Sequence, residues 1–326
     1  MRPTHTRSIL TALFLFAPGC ILNTAFPYNP RFSDADDDGK AYIDGDCDEW
    51  PGHGGKPVIA GKGIYDSLQA AVDAAKDGDV ITVCPLPPEK EYGGLTVIEG
   101  KSISIVGGDD PENIVLNGKD AGSTIRISGG SLTLENLTIT GDTGTNYTDG
   151  ATRVNVGGGV DAWAADGLEI VNCIIQNNDA DYGGGVMGPV VVENAETLIL
   201  DSLITDNVGI FGAGIFVQWG GQVIGTSVYR NKGSYSGGIH SGPGTLTITA
   251  SEIIANSANN LTNAGGGLAI EDGKLNVEAS DFGDTNDTNN KYNDIMLENT
   301  STGKTRLYNK NNGVTFSCDA AKQSCS

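Results

Sequence analysis

Three aspartates at alternate positions, Asp34, Asp36 and Asp38, stand directly before Gly39, and Asp44, Asp46 and Asp48 follow within the same acidic stretch. Alternate carboxylates closed by a glycine let a tight loop turn several hard oxygens inward, which is what calcium coordination requires. The twelfth position of such a loop ordinarily supplies a bidentate glutamate. Here it is Gly45, so Asp44, Asp46 or Asp48 has to complete the ligand set. Calcium is the expected cofactor, against the plainer reading of a solvated acidic linker.

Downstream, groups suited to acid–base work are sparse. His240 is the one histidine between residues 56 and 317, and it follows Gly238-Ile239 as an exposed strand residue would. Asp161, Asp166, Asp181 and Arg153 are scattered through one region of an acidic chain. Cys173 reads as a buried thiol, with no histidine placed to activate it.

What must position these groups is a repeat. An apolar residue, two variable residues and an asparagine recur as Ile174–Asn177, Ile204–Asn207, Val228–Asn231 and Ile253–Asn256, with Asn177, Asn207, Asn231 and Asn256 spaced by 30, 24 and 25 residues. Between them fall Gly184-Gly185-Val186, Ala213-Gly214-Ile215, Gly237-Gly238-Ile239 and Gly266-Gly267-Leu268. A period of this size without a helical pattern predicts a solenoid whose coils stack at about 4.8 Å. Glycine and asparagine serve the corners, where φ turns positive, and stacked asparagines can hydrogen-bond from coil to coil. Aligned on the asparagines, Asn172, Ser202, Thr226 and Ser251 form a polar column, and Leu168 and Ile170 match Leu198 and Leu200. Asp179 then lies level with Gly209 and Gly233, and Asp206 with Gln176 and Arg230, which makes Asp206 and Arg230 an exposed ion pair on adjacent coils.

The rest of the composition agrees with thin coils and many corners: 47 glycines, 6% aromatic residues and 326 residues in all. Residues 1–19 read as an export signal, with Arg2 and Arg7 before the apolar run Ile9–Ala17 and then Ala17-Pro18-Gly19-Cys20. Cleavage before Cys20 would leave an acylated cysteine followed by a tether over 20–33; the alternative is ordinary cleavage near Ala25 and a soluble product. Removing the signal takes Arg2 and Arg7 from 20 basic residues and none of the 41 acidic ones, so the mature charge is −23. That surface repels phosphate backbones and excludes nucleic acid as a partner. In an oxidising compartment Cys47 could bridge to Cys84 and Cys318 to Cys325.

Asp66-Ser67-Leu68-Gln69 resembles a capping box, and Leu68, Ala71, Val72 and Ala75 give one apolar helical face before Gly78. The helix is placed to cover the open end of the solenoid ahead of a strand at Val80–Val83. Ile64–Val83, continuing through Ile103–Gly107 and Leu132–Ile139, resembles the opening of right-handed parallel β-helix proteins of the pectin-lyase-like class. The Gly-Gly-apolar and apolar-x-x-Asn units resemble the repeats of polymorphic outer membrane proteins, and the acidic stretch with Asp46-Cys47-Asp48 and Pro51-Gly52 resembles a metal-binding motif of bacterial surface lipoproteins. Together these resemblances cover roughly residues 60–300 and the acidic segment before them. They imply an all-β chain: a single-stranded right-handed parallel β-helix over 56–317 with an N-terminal capping helix, preceded by an acidic calcium segment over 34–55 and followed by a tail over 318–326.

The same class includes enzymes. Its glycoside hydrolases show Asn-x-Asp, Asp-Asp, Gly-His-Gly and Arg-x-Lys in order; Asn177-Asn178-Asp179 and Arg230-Asn231-Lys232 match the outer two, while Gly52-His53-Gly54 lies far upstream and no Asp-Asp stands between. A lyase would need calcium-binding acids such as Asp161, Asp166 and Asp181 beside a base such as Arg153. A line of exposed aromatics, with Trp163, Tyr182, Tyr229 and Tyr235 as candidates, would indicate a carbohydrate-binding module. The expectation is a non-enzymatic, lipid-anchored outer-membrane or cell-surface protein acting in adhesion or presenting a ligand to an extracellular polymer such as a polysaccharide. The alternatives are a polysaccharide lyase or glycoside hydrolase, and a carbohydrate-binding module.

Overall fold

The computed structural model describes residues 47, 55–86, 90–94, 96–149, 152–259, 264–283, 294–302, 304–308 and 314–326. The export segment, Cys20, His53 and the six aspartates of the calcium stretch lie outside the described residues. Short strands alternate with bends throughout, and the pairing is between coils instead of within them. In one turn the chain runs through Gly167–Val171 in a first sheet, Ile174–Gln176 in a second, Asp179–Tyr182 in a third and Val186–Met187 in a fourth, then returns to the first at Glu196–Leu200. Among the described residues these sheets hold 12, 7, 6 and 9 strands, and neighbouring coils pair in parallel. The fold is a parallel β-helix.

Its interior is a set of apolar columns. On the second sheet Ile139, Ile175, Ile204, Val228 and Ile253 lie directly above one another and are fully buried. Each such side chain contributes about 1.5–3 kcal/mol of burial, so every coil carries its own share of the stability. Ser241 breaks the pattern: it is level with Val217 and Ile270, is fully buried, and its Oγ has no hydrogen-bond partner. An unsatisfied hydroxyl in an apolar column costs desolvation without return. Ser241→Val is therefore expected to stabilise the protein by about 1 kcal/mol, read as a higher urea midpoint; a lower one would mean the hydroxyl is satisfied after all.

Two polar ladders run along the corners. Asn178 Oδ1 stands at the head of a file in which the backbone N–H and Nδ2 of Asn178 donate to Asn207 Oδ1, those of Asn207 to Asn231 Oδ1, and those of Asn231 to Asn256 Oδ1, all at 3.0–3.1 Å. The steps are 29, 24 and 25 residues. The first rung is therefore Asn178 and not Asn177. Asn177 instead takes the left-handed bend, with φ 56°, in file with Asp206, Arg230 and Ala255. The reason is local degeneracy. Ile174-Ile175 and Asn177-Asn178 fit the repeat in either of two frames, and the frame that buries Ile175 prevails.

The same one-residue shift corrects the other alignments. Cys173, not Asn172, is in file with Ser202, Thr226, Ser251 and Ser280; each backbone N–H donates to the next side-chain oxygen, and each side chain donates to the carbonyl two residues before it. Leu168 and Ile170 pair with Thr197 and Ile199, leaving Leu198 and Leu200 on the outer face. Asp179 is level with Val208 and Lys232, and Asp206 with Asn177 and Arg230. Cys173 is buried, and burial pushes its thiol up to about 12.

Both ends of the first sheet are closed by antiparallel strands, Val58–Ile59 against Val80–Val83 at the start, and a helix is added there. At the start, the helix Leu68–Ala74 buries Leu68, Ala71 and Val72 over the first coil. Its N-cap is Ser67, whose Oγ accepts from Ala70 N–H at 3.1 Å, one residue later than the Asp66 box predicts. Gln69 reaches across to both backbone groups of Val97, and Lys101 Nζ donates to the carbonyls of Val72 and Ala75, satisfying the helix C-terminus. Cys47 and Cys84 are disulfide-bonded there. At the far end Val314–Asp319 pairs antiparallel with Lys274–Ser280 and crosses the boundary at 318, and Cys318 is bonded to Cys325 on the returning strand. Antiparallel strands end a parallel stack without offering a matching edge.

Candidate functional site: an aromatic cleft outside the coils

In a simple solenoid the outward side chains of each sheet meet water, but one outer column here does not. On the fourth sheet Arg126, Asp161, Met187, Phe216, His240 and Ala269 follow one another rung by rung. Asp161, Met187, Phe216 and His240 are all buried. The third sheet leans over them and contributes Val156, Tyr182 and Phe211 in register, with Tyr235 on the next coil. The Gly-Gly corners join these two sheets: the second glycine of each doublet has no room for a Cβ, since one at Gly185 would stand 2.9 Å from Asn207 Nδ2 and one at Gly214 3.0 Å from Asn231 Nδ2. The corner glycines and the asparagine ladder thus require each other.

Rings fill the cleft between the two sheets and pack against one another. Tyr182 stacks on Phe211 with centroids 4.8 Å apart, Phe211 lies 5.0 Å from Tyr235, and Phe216 stacks on His240 at 4.9 Å. At the N-terminal end Tyr147, on the hairpin strand Thr145–Asp149, stacks on Trp163 and donates from its hydroxyl to Asp161 Oδ2 at 3.1 Å. Trp163 N–H donates to the other oxygen, Oδ1. Burial raises the Asp161 carboxyl to about 6, although the Trp163, Thr145 and Tyr147 hydrogen bonds and the Arg126 guanidinium oppose it. Burial, with the neighbouring Asp161 charge, pushes Tyr147 up to about 12. Tyr182 is also raised, by burial and by Asp181 and Glu271.

His240 is not the exposed strand residue that its sequence context suggests: it is 2% exposed. Its Nδ1 lies 3.4 Å from Ser236 Oγ and its Nε2 3.3 Å from Glu271 Oε2, an order of groups that looks like a nucleophile, a base and an orienting acid. Ser236 cannot serve as the nucleophile. It is fully buried, and its Oγ accepts the Gly212 N–H at 2.6 Å, so no substrate atom can approach it. The relay fastens one coil to the next.

The candidate lyase residues are not gathered into one site. Asp161 and Asp181 border the cleft, and Asp181 Oδ2 accepts from Asn155 N–H. Asp166 occupies a different corner, where it bonds Gly130 N–H, and Arg153 is exposed on the hairpin beside Asn146. The hydrolase-like matches fall on the scaffold: Asn177 and Arg230 are left-handed bends, and Asn178 and Asn231 are ladder rungs. Arg230 also pairs with Asp206 at 2.6 Å, as the alignment predicts, and lies over the Tyr229 ring at 4.6 Å, away from the cleft. Of the four aromatics singled out in the sequence, Trp163, Tyr182 and Tyr235 line the cleft and Tyr229 does not. Among the described residues no group of three or more His, Cys, Asp or Glu side chains could hold a metal ion, and no helix is long and apolar enough to cross a membrane.

Four parallel sheets, corner ladders and a covered outer column define this chain as a parallel β-helix protein. No family model matches it, and no curated protein matches it. The solved structure of YbhC from Escherichia coli is similar to it over 78% of each chain, with 14% identity and a TM-score of 0.41, a likeness too slight to carry an argument about function.

Proposed function

We propose that this chain is an exported, lipid-anchored β-helix that acts at the cell surface without turning over a substrate, as a rigid adhesive or ligand-presenting module for an extracellular polymer. One observation carries the reading: the repeated polar side chains of the coils, and their one histidine, are committed to holding coil to coil. The asparagines form one ladder, the serines and threonines another, and His240 is locked between Ser236 and Glu271. The cleft rings likewise pack on one another, Tyr182 on Phe211 and Phe216 on His240, where a sugar-stacking platform needs free faces. What remains for contact is a long acidic surface with side chains repeating at about 4.8 Å along the axis. Calcium held by the segment 34–48 would join that surface to acidic polymers.

A second reading, carbohydrate processing, is favoured by one group, Asp161, a buried carboxyl poised near neutrality beside a tyrosine. One experiment separates the two. The purified mature chain, with and without calcium, is incubated with uronate, neutral and amino-sugar polysaccharides; retention of polymer with no unsaturated or new reducing ends is the expected result. Product formation that disappears in Asp161→Asn would replace the adhesive reading with the enzymatic one.

A further inference from the structure

The asparagine ladder has a defective first rung, and the defect is an acid. Ile139 pairs with Ile175, so the residue standing before Asn178 in the file is Asp142, and Asp179 N–H donates to the Asp142 carbonyl at 2.7 Å. Elsewhere in the file each asparagine passes two donors, its backbone N–H and its Nδ2, on to the next Oδ1. Asn178 Oδ1 receives none, and Asp142 Oδ1 has no partner either, although both side chains are buried. The other oxygen, Asp142 Oδ2, is occupied: Thr124 Oγ1 donates to it at 3.1 Å, and it fills the space where a Cβ on Gly118 would sit. Two orphaned acceptors on consecutive rungs are explained by one proton.

We propose that Asp142 is held as the neutral acid and donates from Oδ1 to Asn178 Oδ1, so that the first rung of the ladder forms in acid and opens when the carboxyl ionises. The surroundings agree. Asp120, on the turn after Val115–Asn117, adds negative charge, and Lys119 in the same turn is directed away, against Gly93. Asp179, the charged residue on the adjoining third-sheet strand, is exposed and is itself raised by burial and Asp181. Arg126, on the strand Ile125–Ser128, acts on Asp161, and among the described residues no cation forms an ion pair with Asp142. Burial raises the carboxyl from 3.8 to about 6, against the Thr124, Gly122 and Ala121 hydrogen bonds. The folded-state value lies above the unfolded one, so this contribution to stability is complete below about pH 3.8 and is lost as pH rises through about 6.

Asp142→Asn supplies a permanent donor of the same shape. Urea unfolding of the full chain and of D142N is measured from pH 4.5 to 8. The folded-to-unfolded ratio of the native protein, divided by that of D142N, should fall ~10- to 100-fold across this range. Asp161, also raised to about 6, titrates in both proteins and cancels from the quotient. A quotient that stays flat, or that rises, overturns the proposal. Should D142N not fold, carbon-detected titration of the native side-chain carboxyls decides: Asp142 titrating near 6 together with a shift of the Asn178 side-chain amide supports the rung, and a midpoint below 4.5 removes it.

Discussion

Asn231→Ala is expected to cost about 4 kcal/mol, among the largest losses any single side chain in this protein can cause. Asn231 Oδ1 accepts both the N–H and the Nδ2 of Asn207, and its own Nδ2 donates to Ile204 O at 2.9 Å and to Asn256 Oδ1 at 3.0 Å. Truncation leaves the buried Asn207 N–H without a partner, at about 1–3 kcal/mol, and opens a cavity at a buried corner. Three further bonds are lost from groups that retain another partner, among them the Ile204 carbonyl in its parallel ladder. Urea unfolding followed by circular dichroism reads the effect. A loss under 1 kcal/mol would show that the ladder is incidental to the fold.

Gly238→Ala comes next, at about 3 kcal/mol. A Cβ here would lie 2.3 Å from Gly267 O and 3.1 Å from Asn256 Nδ2, so the next rung must move. That rung pairs Ile239 with Leu268, and displacing it opens the fourth sheet at a buried position. Since the same methyl presses on the ladder, Gly238→Ala and Asn256→Ala together should cost less than their sum. The double-mutant cycle measures this directly; strict additivity would separate corner from ladder.

Both predictions rest on a repeat that is legible in the amino-acid sequence. Apolar columns, corner glycines and spaced asparagines each follow from a short-range rule, and they agree on a stack of coils and on an end-covering helix. The frame of the first coil did not follow. Ile174-Ile175 and Asn177-Asn178 satisfy the pattern twice over, and Leu198 and Leu200 are as apolar as the inward Ile199 between them. Deciding among these takes knowledge of which side chain reaches the interior.

The cleft was less legible still. Its trace in the sequence is a loss of alternation: Ile215-Phe216-Val217 and Val160-Asp161-Ala162 are buried at every position, the mark of a strand covered on both faces. Runs of three residues are too short to separate that case from chance. His240 looks exposed for the same reason, since a parity rule assigns it to the outside and cannot know that another sheet lies there.

By itself, then, the sequence determined the solenoid, its corner chemistry and the ion pair of Asp206 with Arg230, because those interactions join residues one period apart. Only the tertiary structure decided which asparagine starts the ladder, that Asp142 precedes it in the file, and that two sheets close over Asp161 and His240. These depend on the angle between sheets, which is set by the packing of all the coils at once and is written in no single segment.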